Sequence, residues 1–281
     1  MPRVLSNRHV GVSLLVLTLA VAAGVAYPGD RPPIAASAPR AAAAPSATTH
    51  TPVPAAAPAP HGLPVVDYAG APPGLPDDPD PRSTVAVTEG VHPASRRVLY
   101  DAPGGVPRAY LPPFINGVPV TVPIVARRPG WVAVLVPSVN RRMGWLTTTG
   151  WTLRSLPDQL VVRLRAHELT WLRDGVRRTS WTVATGSPAT PTPVGRTFVL
   201  GRARGAGAAY GGLDVLALGS VPENRDSLPA SLRGAHTGIH SWYATSSFGH
   251  SVSNGCIRVP RDGQRTLLDH LTPGTTLTVL G

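Results

Sequence analysis

The alternation of apolar and polar positions changes character several times along the chain. From about Val85 to Trp151 the apolar residues come in short β-branched or aromatic runs separated by turns. Val98-Leu99-Tyr100 runs into the turn Asp101-Ala102-Pro103-Gly104-Gly105; Val118 to Val125, Trp131 to Val136 and Gly144-Trp145-Leu146 read as further strands. This spacing predicts a small β-barrel. Trp131, Trp145 and Trp151 are either aromatic core or a binding face, with core the more frequent role of such residues.

After Trp151 the pattern predicts a second β-rich unit, long enough to bury its own core. Leu160 to Leu164 alternates in part. Glu168 to Arg173 is joined to Ser180 to Ala184 across Asp174-Gly175, a strong hairpin signal. Thr185 to Gly195 holds two Thr-Pro pairs, which bias the chain to an extended, stiff loop. Pro260 to Leu271 sets Leu267, Leu268 and Leu271 on one face of a helix that Pro273-Gly274 stops, and Thr275 to Leu280 reads as a closing strand. The whole is expected to be mainly β, with one or two short helices.

The first 82 residues have neither pattern. Arg3 and Arg8 precede an apolar run from Val10 to Ala26, and Gly24-Val25-Ala26 offers small residues for cleavage. Residues 1–26 are therefore expected to be a signal peptide or an N-terminal membrane anchor; about 17 apolar residues is the lower limit for a span. Residues 27–82 carry 15 of the 33 prolines and few large apolar side chains, which reads as a disordered, extended spacer. The expected organisation is thus 1–26, 27–82, a β domain over 83–151 and a second β domain over 152–281.

The formal net charge is +11 and lysine is absent, so every basic side chain is arginine. Such a balance suits an anionic partner. Nucleic acid is not expected: no zinc-ligand set or Arg-aromatic recognition motif accompanies the charge, and the leader points out of the cell, to the cell envelope.

The single cysteine, Cys256, sharpens this reading. Outside the cytoplasm a structural cysteine ordinarily has a disulfide partner, and this one has none in the chain. It lies in Ser253-Asn254-Gly255-Cys256-Ile257-Arg258, and His240 precedes it by 16 positions in Gly238-Ile239-His240-Ser241. An imidazole that takes a thiol proton makes a nucleophile, and a glycine beside the sulfur lets backbone amides approach a developing oxyanion. The residues alone imply cysteine-dependent acyl transfer. His236 and His240 have an H-x-x-x-H spacing, but Gly238 and strand-like neighbours argue against the helix a zinc site would need, so neither metal nor cofactor is expected.

These segments resemble the signature of the bacterial L,D-transpeptidase catalytic domain. The resemblance rests on Ile239-His240-Ser241-Trp242, on Ser253 to Arg258, and on the Thr185 to Gly195 stretch, and it covers roughly residues 158–281. Asn254 stands where that family usually has histidine. The resemblance implies that Cys256 attacks a peptidoglycan stem peptide, that D-alanine leaves, and that an amine on a second stem takes the acyl group. It implies His240 as proton donor and acceptor, with its ring oriented by the Ser241 carbonyl. Gly255 is the backbone oxyanion-hole candidate, with Asn254 as an oxyanion or substrate contact. Arg258, Ser253, Tyr210 and Trp242 are candidate substrate contacts, and the segment from Tyr210 to Ser231 is expected to border the cleft. Hydrolysis of the same thioester, or wall binding without catalysis, are the alternatives. Val98 to Gly105, Pro129 to Pro137 and Met143 to Leu146 resemble bacterial SH3-like domains, which implies wall-polymer contact by residues 83–151. A monomer is expected, touching the membrane only through an uncleaved leader.

Overall fold

The structure, a computed structural model, describes residues 52–67, 72–137, 142–205, 210–222, 225–234 and 236–281. The leader, 1–26, and the first part of the spacer lie outside the described residues. The fold is mainly β, as the sequence predicts, and among the described residues there is one α-helix.

The first sheet is built from β1 (Glu89–Pro93), β2 (Arg97–Tyr100), β3 (Pro107–Leu111), β6 (Val122–Arg128), β7 (Trp131–Leu135), β8 (Met143–Thr147) and β9 (Trp151–Ser155), in the order β3-β2-β8-β7-β6-β1-β9. Between β3 and β6 the chain makes a small hairpin, β4 (Phe114–Ile115) and β5 (Val118–Pro119). Trp131 and Trp145 are core side chains, and Tyr100 meets Trp131 edge-to-face at 5.1 Å. The sheet runs past the boundary expected at 151/152. Trp151 to Ser155 pairs with Pro93 to Glu89, because β1 would otherwise be left as an open edge.

The spacer expectation also differs from the structure over its second half. Trp131 Nε1 donates to the Pro54 carbonyl and the Tyr100 hydroxyl to that of Ala57. Val66 and Leu75 are buried in the first core. Few as they are, these apolar groups find a preformed surface, and the donors of Trp131 and Tyr100 need acceptors once buried.

The second sheet holds β10 (Asp158–Arg163), β11 (Glu168–Arg173), β12 (Val176–Thr182), β14 (Gly195–Ala203), β15 (Val215–Leu218), β16 (Gly238–Ser241), β18 (Ile257–Val259) and β19 (Thr276–Leu280). Its order is β12-β11-β10-β19-β14-β15-β16-β18. The β11–β12 turn is the expected Asp174-Gly175, with φ of 53° and 74°, as a type I′ turn requires. The last strand enters the middle of the sheet, parallel to β10 and antiparallel to β14. Helix α1 (Arg261–His270) follows β18 and sets Gln264, Leu267 and Leu268 on its buried face.

The two sheets share material. Phe198 and Leu200, on β14, belong to the first core, together with Leu111, Ile115 and Val120. Residues 72–88 tie both units: Arg196 makes a buried two-point pair with Asp78 at 2.6 and 2.8 Å, Gln159 Nε2 donates to the Thr84 carbonyl, and the Thr278 hydroxyl to that of Ser83.

Candidate active site

Two parallel strands create the site. β16 pairs with β18 in the register Ile239↔Ile257, His240↔Arg258, Ser241↔Val259. Cys256 immediately precedes β18, so the pairing brings it to the level of Gly238 and Ile239, one step from His240. A sequence gap of 16 residues thus collapses to neighbouring strands. Gln264, fully buried on α1, donates to the Ile239 carbonyl at 3.2 Å and to the Asp214 carbonyl at 2.7 Å, holding β16 from behind.

His240 is buried, and its Nδ1 lies 2.8 Å from the Ser241 carbonyl. A carbonyl only accepts, so the neutral ring carries its proton on Nδ1 and keeps the Nε2 lone pair. Tyr210 and Trp242 enclose the ring, edge-on, at 4.8 and 5.7 Å. This burial, reinforced by the Arg258 charge, lowers the His240 pKa to about 4; the Ser241 carbonyl acts in the opposite sense. Burial pushes the Cys256 thiol up, opposed by a backbone hydrogen bond from Gly238 and by Arg258. The two shifts act alike, each favouring the neutral form of its group.

The turn bearing Cys256 is clamped from several sides. Short strands β13 (Thr185–Gly186) and β17 (Ser251–Ser253) run parallel beside it. The Ser253 carbonyl accepts from Ser187 N at 2.9 Å and from the Thr190 hydroxyl at 3.0 Å; the Gly255 carbonyl accepts from the Thr192 hydroxyl at 3.0 Å. Thr192 Oγ1 in turn accepts from Gly186 N at 2.9 Å. Inside the turn, the Ser253 hydroxyl donates to the Cys256 carbonyl at 2.6 Å and accepts from Gly255 N at 3.2 Å. Gly255 has φ +99°, outside the range of an ordinary side-chain-bearing residue.

A cavity of about 530 Å³ joins Cys256, His240 and Tyr210, along with Gly238, Val215 and Leu232. A much smaller one, about 30 Å³, also reaches Cys256, between Asn254, His236 and Leu228. The segment after Tyr210 thus borders the cleft. Other expected contacts lie elsewhere. Ser253 is buried inside the turn, and the Arg258 guanidinium stacks 3.7 Å over the Trp242 ring. Trp242 faces a separate cavity of about 440 Å³ beside Tyr243 and Phe248. No group of three or more His, Cys, Asp or Glu suited to a metal occurs among the described residues, and His236 approaches the Leu218 carbonyl through Nδ1 at 2.5 Å.

Thr190, Thr192 and Gln264 support the site although none belongs to the cysteine or histidine segment. The first two lie in the stretch with two Thr-Pro pairs, whose stiffness alone does not reveal these bonds. Gln264 offered a signal: a polar residue three and four positions before Leu267 and Leu268, on the apolar face of the helix.

Fold and cleft together define a mainly β protein in which a buried histidine and a single cysteine share one cavity. Residues 157–279 match the model of the L,D-transpeptidase catalytic domain (YkuD), and the match supports this family for the C-terminal segment. The Bacillus subtilis (strain 168) protein YkuD is 26% identical over 125 residues, 44% of this chain and 67% of that protein. Among solved structures, an Enterococcus faecium L,D-transpeptidase is 19% identical, with a TM-score of 0.34; the match covers 44% of this chain and half of that one. An L,D-transpeptidase from Mycobacterium smegmatis is 17% identical, over 68% of this chain and 97% of that one, with a TM-score of 0.38.

Proposed function

We propose that the protein is an exported L,D-transpeptidase acting on peptidoglycan in the cell envelope, with residues 83–155 forming an SH3-like module that holds it to the wall polymer. The observation that carries this reading is the Nδ1 contact of His240 with the Ser241 carbonyl. It leaves Nε2 as a base, on the strand paired with the one that follows Cys256.

In this reading the Cys256 thiol gives its proton to His240 Nε2 as the sulfur attacks the carbonyl of the third stem residue. The S–C bond forms, the C–N bond to D-alanine breaks, and the leaving amine takes the proton from His240. A thioester remains; the amine of a second stem attacks its carbonyl and gives a proton to His240, the C–N bond of the cross-link forms as the C–S bond breaks, and the departing sulfur takes the proton back from His240. Dividing one acyl transfer into two steps is what covalent catalysis supplies. Because Gly255 N is taken by the Ser253 hydroxyl, the backbone N–H of Cys256 is the better oxyanion donor of the two. The family match over residues 157–279 supports the reaction class.

The test is the intact mass of the protein after incubation with a carbapenem, beside Cys256→Ala and His240→Ala. The reading expects one adduct, absent in the cysteine variant and slower in the histidine variant. A folded protein with a reduced thiol and no adduct would sink it.

A further inference from the structure

The larger cavity is not walled by the second sheet alone. Its lining includes Asn116 and Val118, from the β4–β5 hairpin of the first unit. The turn of that hairpin is Asn116-Gly117, with φ of 47° and 77°, the tight two-residue form that fixes register. Ile115 anchors it in the first core. Val118 rests over β14 at Gly201, where a Cβ would meet Val118 Cγ1 at 2.6 Å, so the close approach needs glycine there. The hairpin is held to the cleft because Phe198 and Leu200, on the same strand as Gly201, sit in its own core, and because Asp78 and Arg196 join the units in a buried pair.

The two cavities at Cys256 differ in what they admit. The one beside Asn254, about 30 Å³, holds little more than a water molecule. The one bounded by the hairpin, about 530 Å³, falls within the usual range of ligand sites, about 300–1,000 Å³. The acyl part of a donor bound to the sulfur must occupy the larger. Asn116 is exposed at its edge, and its carboxamide has no hydrogen-bond partner among the described residues. A primary amide both donates and accepts, as a peptide bond does.

We propose that the Asn116–Val118 turn is the far wall of the acyl-donor subsite. The Asn116 carboxamide bonds the donor's peptide backbone, and Val118 limits the bulk of its side chains. This rests on the reading of Cys256 as the acylated nucleophile. The donor class follows: an extended peptide of a few residues, recognised partly through its main chain by the first unit.

The experiment compares the full chain with Asn116→Gly, which removes the amide while keeping a residue at ease with positive φ. Thioester formation with a stem tetrapeptide is followed by intact mass over a range of donor concentrations, and Cys256 alkylation by iodoacetamide serves as the control. The half-saturating donor concentration should rise about 3–10-fold, the effect of one lost hydrogen bond. The saturated acylation rate and the iodoacetamide rate should stay within about 2-fold of the parent, since neither depends on that bond. An unchanged half-saturating concentration overturns the proposal, as does a saturated rate that falls in parallel with iodoacetamide reactivity. If the parent forms no thioester while iodoacetamide still reacts, the reading of the reaction fails separately. The wall is then judged by alkylation with a tetrapeptidyl chloroacetamide relative to iodoacetamide. A ratio lowered about 3-fold in Asn116→Gly retains it, and an unchanged ratio overturns it.

Discussion

The Thr192 hydroxyl donates to the Gly255 carbonyl at 3.0 Å, although 63 residues separate the two in sequence. It holds the residue next to Cys256 in its left-handed conformation, and it is itself held by the Gly186 N–H. Thr192→Val keeps the side-chain shape and loses both bonds. Stability should fall by about 1–3 kcal/mol, as for buried groups left unpaired. Single-turnover acylation at saturating donor should fall further, about 10-fold or more, because a small displacement of a nucleophile is amplified in rate. The measurement is acylation at a temperature where both proteins are fully folded; an unchanged rate there would show that Thr192 only stabilises.

His240 carries a pH signature. Its folded pKa is depressed to about 4, below the value of about 6.5 in an unfolded chain. Between those values the unfolded state binds the proton and the folded state does not. The contribution is fully present above pH 6.5 and is lost as pH falls through 4, amounting to ~3 kcal/mol. Urea unfolding of the parent and His240→Gln, from pH 7 to pH 4, should show a shallower decline in the variant. The acid limb of the acylation rate in the parent should lie near 4 and not near 6.5. Parallel stability curves would contradict the burial argument.

Arg258 lies over Trp242 and lowers the His240 pKa through its charge. Arg258→Gln should therefore raise the His240 pKa, moving the acid limb of acylation toward higher pH. Arg258→Lys keeps the charge but not the planar stack, and should leave the limb near its original place while lowering stability by about 0.5–2 kcal/mol. A limb that moves equally in both variants would assign the effect to packing instead of charge.

The Asp78–Arg196 pair is nearly solvent-free on both sides. Asp78→Ala leaves the guanidinium buried and uncompensated, and should cost about 3–5 kcal/mol. Asp78→Leu with Arg196→Met should recover most of that loss. Thermal unfolding decides it: a single variant that melts with the parent would show that water reaches the site.

Asn254 is exposed at the mouth of the smaller cavity that reaches Cys256. Its side chain makes no hydrogen bond among the described residues, so Asn254→His should fold normally and keep or raise the acylation rate. Complete loss of thioester in a folded Asn254→His protein would show that the amide itself is required.

Much of the architecture follows from local pattern. The Asp174-Gly175 turn, the helix after Cys256 with Leu267 and Leu268 inward, and the closing strand are set by interactions within a few residues, which sequence alone encodes. The His240 and Cys256 segments are legible because a lone cysteine and a histidine stand there in short segments with a recognisable spacing. What only tertiary structure decides is long-range. The lowered His240 pKa comes from burial beneath Tyr210 and Trp242, with the Arg258 charge beside it. Ser253 and Arg258 become supports because the turn folds inward and the guanidinium finds an aromatic face. Thr192, Gln264 and the Asn116 hairpin reach the cleft only once separate strands pair and the two units share a core. Hydrophobic period fixes which residues turn inward, and chain topology alone fixes which of them meet.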